Sequence, residues 1–482
     1  MTPKKAVVFA SLFLLIILFN SQCTNSNPDT GATPPLPDTG SITPVPLPVV
    51  VPGFSFPEDS NVIYSWLSPY DSAKVYGHAW GIWAGLTAGT GQAYQGDSLL
   101  VYQTWLGIGE IQTLIGSEPQ ADLSAVKKRG RSPLAIPNQF KDAISFRKKS
   151  LLKGSIDTNA GSAFGTNFWV AVSYDPSSAN YAISNSILKL SVLDKYAVPG
   201  GIGNIPAFPQ QSINIKPVYF VGHRKDSLIR VDAWPGPPDT AQAFPPQNWN
   251  RYVYADVSNS QPAGKIVVPA RGPNPSPEAI KAATCNLSDF IYYHIDAGMA
   301  HYLNEQQSPV QGDTARAGDL ALLVAMHVTT KEINNWTWQT YYWAPDPENP
   351  HAPSSKLAVR LRPAQLQGAA AHYALSTAYV EVLPNQPLSG GSNKGVSTMI
   401  GYNPYLEAGF GPADLNYPNA LNPSYKFGIQ TNCMSCHTLA TIDGQVGYSA
   451  DQYISNNDTV FKNRVRLDFA WSIQQAIIKD KK

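Results

Sequence analysis

The residues of this chain whose types and spacing could do chemistry together lie near its C-terminus, in Cys433-Met434-Ser435-Cys436-His437. Two thiols three residues apart fall on one side of a single helical turn, so both can reach the two vinyl groups of one haem. The imidazole that follows is then held beneath the ring, where it can bind the iron. The C-x-x-C-H spacing therefore reads as a covalent haem c attachment site, with Cys433 and Cys436 as tethers and His437 as proximal ligand.

Two other readings of the thiol pair compete. A redox dithiol normally sits in a βαβ context, and no such pattern surrounds this motif. Half of a structural zinc site needs two more Cys or His ligands at short spacing. The other cysteines, Cys23 and Cys285, are far away in sequence. The motif resembles that of c-type cytochromes, and the resemblance covers residues 390–482 at most. It implies a small helical haem module, with a C-terminal helix over Asn463–Asp480 crossing the haem-binding turn; Val465, Phe469, Ile473 and Ile477 there form one apolar stripe. Small members of that family usually take their distal ligand, often Met, from the chain after the motif. Thr438–Lys482 contains neither Met nor His. Either the distal side is open or weakly ligated, or the ligand comes from upstream. The upstream candidates are His78, Met326, His327, His351, His372 and Met399. His327 is favoured, with Met399 and His78 behind it. Tyr448, Tyr453 and Lys462 remain as weaker donors, since a Tyr must lose its proton and a Lys needs a depressed pKa.

The elements that must position these residues begin with an export signal. Lys4 and Lys5 precede the apolar run Ala6–Phe19, which has signal-peptide length. Cys23 follows and resembles the lipid-modified cysteine of bacterial lipoproteins, although Asn20 and Gln22 depart from the small residues usual before it. Residues 24–57 are rich in Pro, Thr, Ser and Asn and read as a semi-extended tether between residues 1–23 and the body. At about 3.1 Å per residue such a segment could span up to roughly 90 Å. Charged residues are only 14% of the chain, well under the roughly 25% common in soluble proteins. With a net charge of +1, nothing global points to nucleic acid.

Residues 58–389 read as a β-rich body. Short apolar runs alternate with Pro/Gly turns in FWVAVSY, ILKLSVL, SINIKPVYFVGH and RYVYADV, the pattern of an antiparallel sheet or sandwich. Tyr76–Trp83 is a Gly-punctuated core segment, with His78 either satisfied by hydrogen bonds or placed in a ligand pocket. Leu99–Trp105, Leu320–Thr330 and Trp336–Trp343 are expected strands, and Ser288–Asn304 and Gln367–Leu383 are expected helices. A short helix is expected over Ala450–Ile454. The block AMHVTTKEINNWTWQTYYWAP is similar to uncharacterised bacterial haem proteins with one C-terminal C-x-x-C-H. Lys127–Lys153 holds nine basic residues and one acid, Asp142. It is expected to be a solvated loop, or alternatively a patch that steers an acidic redox partner.

The sequence thus points to an α+β chain: a β-rich body ending in a small helical, cytochrome c-like haem module. The expected function is electron transfer through one covalent haem c to an unidentified redox partner protein. The protein is expected outside the cytoplasm, periplasmic or on the cell surface, and lipid-anchored through Cys23. The alternatives are a haem enzyme with an open distal site and a ligand-binding or sensor protein with structural haem. Mass analysis of the mature N-terminus is expected to find acyl groups on Cys23; a free, unlipidated Ala, Ser or Asn terminus would refute the anchor.

Overall fold

The computed structural model describes residues 42–117, 129–136, 167–239, 243–306, 314–383, 386–387, 397–410, 432–444 and 453–479. The signal-like run, Cys23, Tyr448 and most of the Lys127–Lys153 and Ala450–Ile454 segments lie outside these. The described residues belong to one compact unit of mixed α/β structure, built around antiparallel strands.

The central element is an eight-stranded sheet made of β1 (Leu106–Gly107), β2 (Phe168–Val170), β3 (Ser173–Tyr174), β4 (Ile213–Gly222), β5 (Tyr292–His294), β6 (Leu320–Thr330), β7 (Thr337–Trp343) and β8 (Tyr373–Thr377). The order is β8-β7-β6-β4-β3-β1, with β5 also paired to β6 and β2 to β4. All of these pairings are antiparallel. All eleven residues of β6, the run LALLVAMHVTT, are buried, because both faces of the sheet are covered.

Alternation along the strands divides the side chains between two environments. Met326 and Tyr341 are register partners, and both belong to the larger core. Helix α1 (Ser72–Leu86) packs on that side, started by Asp71, whose carboxylate accepts from the amides of Ala73 and Lys74. Trp83 of α1 stacks on Tyr341 with ring centroids 4.3 Å apart, and the Tyr341 hydroxyl donates to the Ala79 carbonyl at 2.5 Å. The next pair, His327 and Thr340, points to the opposite face. There the C-terminal segment lies against the sheet, with Trp338, Cys433 and Met434 in a second core.

Several expected elements take a different form. Leu320–Thr330 and Trp336–Trp343 are strands, as the apolar runs imply. Leu99–Trp105 is instead the end of a short strand, Asp97–Leu100, followed by a single 3-10 turn. In ILKLSVL, Leu190–Leu193 is a helical turn. The expected helix Ser288–Asn304 divides into β5 and helix α2 (Ala297–Gln306). Its aromatic half, YYH, pairs with β6, where such residues fit a pleated surface. Gln367–Leu383 is a 3-10 turn leading into β8. There the Tyr373 hydroxyl donates to the Leu323 carbonyl at 2.7 Å.

The C-terminal stripe Asn463–Asp480 is helical only over a short helix at Trp471–Gln475. Val465–Arg466 pairs with Gly203–Asn204, and Asp468 and Phe469 have φ of 46° and 69°, which breaks a right-handed helix. Residues 42–57 of the expected tether are docked on the body. Ile42 is buried, and the Trp105 indole donates to the Val45 carbonyl at 2.7 Å. Arg129 and Arg131 are likewise not solvated. Arg129 pairs with Glu110 at 2.8 Å, and Arg131 pairs with Asp97 at 2.9 Å.

Glu381 is fully buried beside the start of the haem-motif segment, accepting from the Ile454 amide at 3.1 Å. Burial pushes its carboxyl up from 4.5 to about 8, although Arg466 lies close enough to oppose the shift. The folded state therefore holds a proton that the unfolded state releases, so stability falls as pH rises from about 4.5 to about 8. Thermal melts of Glu381→Gln should show a raised midpoint at pH 8 and no gain at pH 4. An equal effect at both values would mean that Glu381 is not held protonated.

Candidate functional site

The C-x-x-C-H residues form a single helical turn, α3 (Cys433–His437). Asn432 fixes its start. Its side-chain oxygen accepts from the Ser435 amide at 3.2 Å, and its amide nitrogen donates to the carbonyls of Val380 at 2.6 Å and Met399 at 2.9 Å. The Cys433 amide and thiol both approach the Gly401 carbonyl, at 3.3 and 3.1 Å. A Cβ on Gly401 would stand 2.8 Å from the Thr377 carbonyl oxygen, so only glycine lets this strand pass so close to β8.

The His437 ring is held from two sides. Nδ1 lies 2.8 Å from the Phe469 carbonyl and donates to it. The Trp338 ring packs 4.3 Å away, tilted by 47°. With the proton on Nδ1, Nε2 carries the lone pair, and it makes no hydrogen bond among the described residues. Burial lowers the imidazole pKa to about 3, against the hydrogen bond to the Phe469 carbonyl, with the neighbouring Lys216 and His327 side chains acting in the same direction as burial. The ring is therefore neutral at physiological pH, the form that binds a metal.

The carbonyl that orients the ring is itself placed by a strained turn. Left-handed backbone at a non-glycine residue costs on the order of 1–3 kcal/mol, and Asp468 and Phe469 adopt it in succession. An ion pair opposes this cost: Lys331, directly after β6, reaches Asp468 at 2.6 Å and also donates to the Asn334 carbonyl at 2.8 Å. The second Asp468 oxygen accepts from the Phe208 amide at 3.0 Å.

His437 opens onto a cleft between the C-terminal segment and the polar face of the sheet, with about 540 Å³ of empty space counting its mouth. Val172, Ile215, Trp338, Phe469 and Trp471 make its apolar walls; Asn214, Lys216 and His327 bring polar groups. The Asn214 side-chain oxygen is buried and makes no hydrogen bond. A second cleft, of about 850 Å³, shares Val172, Lys216 and Gln475 with the first. Neither cysteine lines the first cleft, but the Cys433 sulfur lies 3.9 Å from Nδ1 of His327, which does. Burial raises both thiol pKa values, so neither is an activated thiolate of the redox-dithiol kind. Among the described residues, no group of three or more His, Cys, Asp or Glu is placed to hold one metal ion. The donor set fits haem c better. It comprises two thiols on one turn, a neutral imidazole with Nδ1 committed and Nε2 available, and an apolar cleft with an orphaned polar atom.

The structure sorts the upstream ligand candidates. Of these, His327 is the one that lines the cleft, and both its nitrogens are engaged. Nδ1 meets the Thr340 hydroxyl at 2.8 Å, and Nε2 meets the Glu407 carboxylate at 2.9 and 3.0 Å. Met326 is sent to the opposite face by strand alternation and lies in the larger core. Met399 packs in a separate cluster, its sulfur 3.5 Å from the Tyr70 hydroxyl. His78, in α1, is fully satisfied by Tyr379 at 2.7 Å and Glu332 at 3.1 Å. His351 neighbours Gly236, and His372 lies 3.6 Å from Asp289; neither lines the cleft.

Sequence reading missed Lys216, Asn214, Glu407 and the Lys331–Asp468 pair. A signal for the first two exists: in Ile213-Asn214-Ile215-Lys216 polar residues alternate with apolar ones, which marks a strand with one polar face. Nothing local marks the others. Comparison of the chain with protein families, with curated proteins and with solved structures gives no match.

Loss of the Asn432 cap should loosen α3 directly. In urea unfolding, Asn432→Ala is expected to cost on the order of 1–2 kcal/mol, and Asn432→Asp at least as much, because a buried carboxylate would face the Val380 and Met399 carbonyls. An unchanged midpoint in the alanine variant would show that α3 is held by its packing alone.

Proposed function

We propose that this protein is an exported c-type haem protein that carries electrons through one haem bound by Cys433, Cys436 and His437. The observation that supports this most is a C-x-x-C-H turn whose imidazole lines a cleft and has Nδ1 tied to a backbone carbonyl, with Nε2 making no hydrogen bond among the described residues. Such a second partner is what orients metal-bound histidines and raises their basicity. Bound haem supplies one-electron chemistry between ferric and ferrous iron, with a potential set by axial ligand, burial and surrounding hydrogen bonds.

The chain's own groups have separable tasks in this reading. Cys433 and Cys436 hold the group covalently on one turn. The Phe469 carbonyl keeps the His437 proton on Nδ1 and leaves the lone pair on Nε2. Trp338, Phe469 and Trp471 keep water from the proximal side. The haem-bearing segment resembles a c-type cytochrome in its motif, and β4, β6 and β7 supply about half of its cleft walls. A fragment beginning near Gly390 would therefore lack half of the site. The electron partner is another redox protein, nucleic acid has no part, and a lipid on Cys23 tethers the protein to a membrane, facing the periplasm or the cell exterior. A second cleft that shares Val172, Lys216 and Gln475 with the first favours a second reading, a haem that binds a small molecule as an enzyme or sensor does.

Produced in a host with haem-attachment machinery, the denatured full chain should keep a haem stain on a gel. Cys433→Ala combined with Cys436→Ala should lose it, and either single variant should weaken it. A colourless wild-type protein from such a host would overturn the proposal.

A further inference from the structure

The proximal nitrogen has a clear origin, whereas no residue after the motif can face it with a common axial donor. The cleft at His437 limits the alternatives. Among its lining side chains, those with nitrogen lone-pair chemistry suited to iron are His327 and Lys216. His327 is already committed at both nitrogens, to Thr340 and Glu407. The Lys216 side chain makes no hydrogen bond or ion pair with the described residues. It is the register partner of His327 across β4 and β6, so its side chain leaves the sheet on the same face, and it lines both clefts.

We propose that Lys216 supplies the distal nitrogen that faces His437 across the haem, an inference that rests on the haem reading above. Three further observations agree with it. Glu407 is close enough to interact electrostatically with Lys216, yet its oxygens are taken by His327 Nε2 and by the Asn403 amide at 2.6 Å. The carboxylate therefore does not tie the amine down. The Cys433 and Cys436 thiols, which would hold the haem, are close enough to Lys216 to interact with it electrostatically. Finally, the chain after His437 contains no Met or His, so Lys216 competes with none of the donors small cytochromes use.

The test uses the full-length, haem-loaded protein and compares wild type, Lys216→Leu and Lys216→Arg by optical and electron paramagnetic resonance spectra. The expected wild type is six-coordinate and low-spin, with a near-infrared charge-transfer band of an imidazole–amine pair. Both variants should become high-spin and bind added cyanide about tenfold more tightly or better, since no internal ligand has to be displaced. Arginine keeps the charge but cannot deprotonate to donate. An arginine variant that restores the wild-type spectrum would assign Lys216 to charge pairing with haem carboxylates and overturn ligation. Low-spin iron unchanged in the leucine variant, or high-spin iron in the wild type, would overturn it as well. A haem stain and circular dichroism on each variant check loading and folding. Haem that is attached while Lys216 proves irrelevant refutes this inference alone; wild-type protein without covalent haem refutes the functional reading beneath it.

Discussion

The hydrogen bond from His437 Nδ1 to the Phe469 carbonyl is the contact on which the geometry of the site depends. It chooses the tautomer of the imidazole and leaves the lone pair on the other nitrogen. The carbonyl can be there only because Asp468 and Phe469 take left-handed backbone conformations that residues with side chains avoid. The Lys331 ammonium, at the end of the longest strand, fixes Asp468 in that turn. A buried ion pair of this kind gains little net stability once the desolvation of both charges is counted. Its effect here is positional, because it joins the C-terminal turn to the central sheet.

The sheet contributes through its pleat. One face is paved with Met326, Tyr341 and their neighbours and closes on α1 through stacked aromatics. The other carries Asn214, Lys216, His327 and Thr340, polar residues that would be costly in a dry core without partners. Thr340 and Glu407 satisfy His327, whereas the Asn214 oxygen is left without a partner. The C-terminal segment covers this face incompletely, and the remaining gap is the cleft.

The charges around the cleft also form one set. Burial alone would raise the Glu407 carboxyl pKa, but His327 and Lys216 together bring it below the ordinary value. Lys216 and His327 in turn add to the burial that keeps His437 neutral. A substitution at any of the three therefore alters the field felt by the other two, and their effects are not expected to add.

Local chemistry determined the core of the site: C-x-x-C-H places two thiols and an imidazole on one turn whatever the rest of the chain does, because the helical repeat sets their spacing. Runs such as LALLVAMHVTT also determined their own strands, since β-branched and apolar residues in unbroken succession suit a strand buried on both faces. Tertiary structure decided the rest. The apolar stripe of residues 463–480 satisfies a helix equally well, yet pairing of Val465–Arg466 and the Lys331–Asp468 contact bend it into a turn. His78, His327 and Met399 were all open as donors in the sequence, with His327 favoured; only packing shows that the other two lie elsewhere and that His327 has both nitrogens occupied. Lys216 acquires its place beside His437 through a strand register joining residues 111 positions apart, and no spacing rule along a single chain encodes such a contact.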